Sequence, residues 1–114
     1  MRRAALEAAL QKLAAPEAQA RTVTVTGPTP TTVQVLPGPA RIYGVYLSGT
    51  GDGAPEVRVD TPAGVLLQAK VPATGHTSAT WAPAWVRAAG PVTATKLSGT
   101  PGQSLSCTIL WSPL

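Results

Sequence analysis

The 114-residue chain reads as an all-β protein, an antiparallel β-sandwich preceded by a short amphipathic helix. Three observations predict this. From residue 21 onward, apolar and β-branched residues alternate with polar ones in short runs, the period-two signature of half-buried strands. Twelve Pro and eleven Gly punctuate those runs and exclude long helices beyond residue 16. Only the first sixteen residues carry a helical pattern.

Residues 2–15 consist almost entirely of strong helix formers. Leu6, Leu10 and Leu13 recur at i, i+4 and i+7 and form one apolar row, while Glu7, Gln11 and Lys12 point in other directions. Pro16 ends the helix. A helix this short is marginal alone in water, so the leucine row is expected to dock. It docks either on its own β-domain or on a neighbouring subunit, which makes Leu6, Leu10 and Leu13 the candidate assembly interface. Arg2-Arg3 and Ala18-Gln19-Ala20 imitate the ends of a secretory signal, but Glu7, Gln11 and Lys12 interrupt the apolar run between them. The segment therefore reads as structure.

Thr22–Thr26 and Thr31–Leu36 are β-branched strands bounded by Gly27-Pro28 and Pro37-Gly38-Pro39. They are expected to pair as a stiff, Thr-rich hairpin or arm outside the main body. The organisation predicted is a helix over 1–16, a linker and arm over 17–38, and a sandwich body over 39–114. Within the body, Arg41–Leu47 is the most apolar strand and is taken as central; Gly44 inside it signals a bulge or a close approach. Glu56–Asp60 alternates strictly, and Val65–Val71 follows with Val65, Leu67, Ala69 and Val71 inward. A loop around Gly75-His76 leads to Thr80-Trp81-Ala82 and Trp85-Val86-Arg87. Val92–Leu97 and Leu105–Trp111 close the chain. About eight short strands with regularly spaced turns suit a sandwich and permit a jelly roll.

Hydrophobic residues make up 44% of the chain and charged residues 12%, about half the usual share, so Thr, Ser, Gly and Pro must cover much of the surface. The net charge is +4, yet apart from Arg2-Arg3 the basic residues, Lys96 included, stand singly and read as scattered solvated charges. That is not the clustered stripe a nucleic acid requires. No apolar run approaches the length of a membrane helix. No nucleic-acid or membrane partner is expected.

Reactive residues are few. Cys107, the only cysteine, alternates with Leu105, Ile109 and Trp111 on an inward face and reads as a core thiol. His76 is the only histidine; one imidazole and one buried thiol cannot make a zinc site, and no nucleophile elbow is present. Asp52, Glu56 and Asp60 fall within nine residues but do not match a calcium loop, and Arg58 lies on the face of Glu56 and Asp60. No catalytic residue, metal or cofactor is assigned, and the protein reads as non-enzymatic. A hydrolase using Asp52, Glu56 or Asp60 is the remote alternative. Trp81 and Trp85 are the ligand-facing aromatics a carbohydrate-binding module would use, although a domain without Phe needs such rings for its core.

From Pro39 onward the chain resembles the small β-sandwich structural proteins of tailed bacteriophages. The features that carry the resemblance are Gly38-Pro39-Ala40-Arg41-Ile42-Tyr43-Gly44-Val45-Tyr46-Leu47-Ser48, then Glu56–Asp60 with Val65-Leu66-Leu67, and a C-terminal hairpin ending in an apolar strand. The resemblance implies a virion protein that decorates or cements a capsid, or sits in a tail or baseplate. It also implies a homo-oligomer, with a trimer favoured, whose partners are other virion proteins, the major capsid protein first among them.

Overall fold

The computed structural model describes residues 3–49, 54–72 and 75–114. Helix α1 (Arg3–Ala14) is followed by nine strands: β1 (Gln19–Thr26), β2 (Thr31–Leu36), β3 (Ala40–Gly49), β4 (Glu56–Thr61), β5 (Gly64–Lys70), β6 (His76–Thr80), β7 (Val86–Ala88), β8 (Val92–Lys96) and β9 (Ser104–Pro113). One sheet runs β1-β9-β3-β6, with the short β7 also pairing β3; the other runs β2-β8-β4-β5. With β7 set aside, the first of eight strands pairs with the last, the second with the seventh, the third with the sixth and the fourth with the fifth. That nesting, with every pair antiparallel, is jelly-roll order.

The pairing corrects the expected arm. β1 and β2 do not form a hairpin: β1 lies along β9 and β2 along β8, in different sheets. Their inward residues Val25 and Val35 are fully buried in the main core. β1 thereby gains the ten-residue, more apolar β9 as its neighbour, and β2 gains the five-residue β8.

The main core lies between the sheets and is built from Val, Ile, Leu and Ala, with Ile42, Val45, Leu47, Val57, Val59 and Ile109 fully buried. Cys107 belongs to it, as the alternation predicts. Two register shifts change which residues face it. On β3 a bulge between Ile42 and Gly44 resets the alternation, so that Tyr43 and Tyr46, three residues apart, both lie on the outer face while Ile42 and Val45 face inward. The Tyr43 carbonyl then accepts the N–H groups of both Trp81 and Ala82, at 2.9 and 3.2 Å, so β6 ends at Thr80 rather than continuing through Trp81. His76 correspondingly opens β6 instead of lying in a loop. On β5 a shift at Leu66 puts Val65 opposite Asp60, on the outer face, where it is 54% exposed and not inward as the alternation suggested. Gly38, at φ +79°, seats the β2–β3 turn against the backbone of Gly90 in the β7–β8 turn; a Cβ there would fall 2.1 Å from the Gly90 carbonyl.

Lys96 is a further correction. It follows Val92 and Ala94 on the inward face of β8 and is fully buried, not a solvated charge. Its stem lies in the core and its ammonium reaches the end of the sandwich. There Nζ donates to the carbonyls of Gly27 at 3.0 Å, Gln103 at 2.7 Å and Thr100. Three carbonyl dipoles use all three ammonium donors and tie the β1–β2 turn to the β8–β9 loop.

Candidate functional site

The outer face of the β1-β9-β3-β6 sheet carries a second, smaller core. Tyr43, Tyr46 and Leu110 project there, and Ala8, Ala15 and Ala18 cover them. Tyrosines already fill the space above the strands, so the helix approaches through Ala8, with Ala15 just past its end. Leucines on that side would overpack. The helix docks in cis, but not by its leucine row.

Polar pairs fix the docked position. Glu7 Oε1 lies 2.9 Å from His76 Nε2, and Ser78 Oγ donates to Glu7 Oε2 at 3.3 Å. Past the helix, the Tyr43 hydroxyl donates to Glu17 Oε1 at 2.8 Å. With that proton committed, Ser112 Oγ must donate to the Tyr43 oxygen, at 3.0 Å. A backbone hydrogen bond and the Tyr43 hydroxyl hold the Glu17 carboxyl below its usual range, with Arg41 adding a smaller pull in the same direction. Burial and, to a lesser extent, the nearby Glu7 charge push the Tyr46 phenol up to about 12.

This arrangement turns Leu6, Leu10 and Leu13 to solvent, 47, 56 and 78% exposed. Beside them an apolar groove of about 260 Å³ runs between the helix and the β1–β9 edge, lined by Ala5, Ala9, Lys12, Ala20 and Thr22 among others. The helix thus exposes three leucines on one side of a charge-poor domain.

The remaining sequence candidates are scattered. Trp81 is half-buried against the main core, and Trp85 is 44% exposed with the Arg41 guanidinium 5.0 Å above its ring centroid. Glu56 and Asp60 begin and nearly end β4; Arg58 Nε pairs with Asp60 Oδ2 at 2.7 Å, as their shared face suggested. Asp52 lies outside the described residues. Among the described residues, no three His, Cys, Asp or Glu side chains are grouped as metal ligands would be. No described helix is long and apolar enough to cross a membrane.

Sequence reasoning missed the Glu7–His76 and Glu17–Tyr43 pairs, which join residues 69 and 26 positions apart and leave no local signal. The alanine face was visible as the repeat of Ala8 and Ala15, and it was overshadowed by the leucines. No known family matches the sequence, and no curated protein does.

Proposed function

We propose that this domain is a non-enzymatic structural subunit that decorates or cements a phage-like capsid through symmetric protein–protein contacts. The observation that carries the reading is the leucine row: a helix seated on its own sheet by alanines while Leu6, Leu10 and Leu13 face solvent. Scattered exposed leucines are ordinary, but three in register on one helix form a continuous stripe of the kind that marks an interaction surface. Covering what they expose is worth on the order of 3 kcal/mol per protomer, too little for a tight isolated contact. It suits a component whose copies bind together, where repeated weak contacts add. A charge-poor jelly roll supports the same reading, since charge is depleted at the centres of protein interfaces. The same surface would serve a tail or baseplate subunit.

The test is the solution mass of the full chain and of a Leu10→Glu/Leu13→Glu variant, by light scattering. Substitution is cleaner than truncation, because removing the helix would expose Tyr43, Tyr46 and Leu110. A trimer or larger ring that becomes a folded monomer in the variant supports assembly through this row. An oligomer of the same mass in both proteins places the interface elsewhere and defeats the reading.

A further inference from the structure

We infer that the outer face of the β1-β9-β3-β6 sheet carries a second docking site, distinct from the leucine row, where Arg41 and Arg87 hold a carboxylate of an acidic protein segment beside Trp85. Arg41 and Arg87 are direct cross-strand partners on β3 and β7. Ala40, Ala88 and Ile42, which flank them in the same register, are buried in the main core, so the two arginines share the outer face. Their Cβ atoms then stand about 5 Å apart, a spacing at which like charges repel.

Nothing among the described residues neutralises them directly. The ion pairs found there are Arg58–Asp60 and His76–Glu7. Glu17, whose field reaches Arg41, holds the Tyr43 hydroxyl. Arg41 is nonetheless fixed in place, its guanidinium 5.0 Å above the Trp85 ring, and its Nε is buried without a hydrogen-bond partner. A guanidinium pinned beside a second guanidinium makes a cationic pair to which a carboxylate is complementary.

Two features favour a protein segment over a free anion. Trp85 is 44% exposed, and Trp and Arg are among the residues that most often dominate interface energies. Arg87 also borders an open groove of about 190 Å³ lined by Val65, Leu66 and Val86. A segment with Asp or Glu next to a Leu or Val would fill both parts.

Three arms test the site. Acetate, titrated at constant ionic strength, should shift the Arg41 and Arg87 Nε–Hε resonances saturably, with a Kd in about the millimolar range. A capped Leu-Glu-Leu peptide should do so roughly tenfold more tightly, an added apolar anchor being worth about that factor. Arg87→Glu, which tethers a carboxylate opposite Arg41, should raise Tm by about 2–5 °C and abolish the acetate response. No saturable shift, an unchanged response in Arg87→Ala, or a lowered Tm in Arg87→Glu overturns the site. Equal affinity for acetate and peptide overturns the protein partner and leaves a free-anion site. None of the arms touches the leucine row.

Discussion

The Tyr46 side chain lies back along β3 over Gly44, two residues earlier, so closely that a Cβ on Gly44 would fall 2.7 Å from the Tyr46 hydroxyl oxygen. The ring occupies the space a side chain would need, just past the bulge. Helix α1 covers it from above.

Gly44→Ala should therefore displace a buried ring that has nowhere to go, costing about 1–3 kcal/mol. Thermal or urea unfolding measures it. Tyr46→Phe supplies the contrast. The buried Tyr46 hydroxyl has no hydrogen-bond partner, so its removal should leave stability unchanged or raise it by about 1 kcal/mol. In the double variant the Gly44→Ala cost should shrink, because the nearest clashing atom is gone. A full additive loss would show that the clash lies in the ring or backbone rather than the hydroxyl.

Lys96→Met keeps most of the stem's volume but strands the carbonyls of Gly27, Thr100 and Gln103. Hydrogen bonds from a charged donor are worth more than neutral ones, so the loss should reach about 3 kcal/mol or more. Hydrogen exchange should quicken around Gly27 and residues 98–103 before the rest of the sandwich. Unaltered stability would mean that water replaces the ammonium without strain.

These two cases mark where the sequence was readable. Period-two alternation located the strands because burying one face requires it. The helix was legible from composition and Pro16. Strand partners were not, since alternation says which face is buried and not which neighbour covers it; β1 and β2 looked like a hairpin only because they are adjacent in sequence. Val65 was misplaced because a single extra residue at a bulge inverts the alternation. Lys96 was read as solvent-facing because its charge outweighs its position in the Val92, Ala94, Lys96 series, although its long stem can lie in a core while its head finds carbonyls at the edge. The leucine row was legible as one face of the helix, and the structure leaves it exposed; the Glu7–His76 and Tyr43–Glu17 pairs that orient the helix are products of tertiary structure.

The Glu17–Tyr43 hydrogen bond makes seating of the helix exit pH-dependent. Glu17 titrates lower in the folded protein than its ordinary 4.5. Its contribution is therefore present above that ordinary value and is lost as pH falls through the lower folded value. Acid should loosen residues 15–18 from Tyr43, seen as changing chemical shifts of Ala15 and Ala18 below about pH 4.5. Glu17→Gln should remove that acid transition. If the wild-type and variant profiles coincide, Glu17 does not couple to the sheet.

Cys107 makes the two core variants measurable by chemistry. It is fully buried in the main core, and burial pushes its thiol up from 9.0 to about 12. Between those values the unfolded chain ionises and the folded one does not, so the thiol's contribution to stability is complete below about pH 9 and fades above it. At pH 8 the folded thiol is both neutral and inaccessible, and a thiol reagent should label it only through opening of the sandwich. When reclosing outpaces labelling, the rate reports the equilibrium population of the open state. Lys96→Met, at about 3 kcal/mol, should then label on the order of a hundredfold faster than wild type, and Gly44→Ala roughly five- to a hundredfold faster. Rapid labelling of the wild-type protein, or equal rates in all three, would mean that β9 opens locally beside Cys107 without unfolding the core.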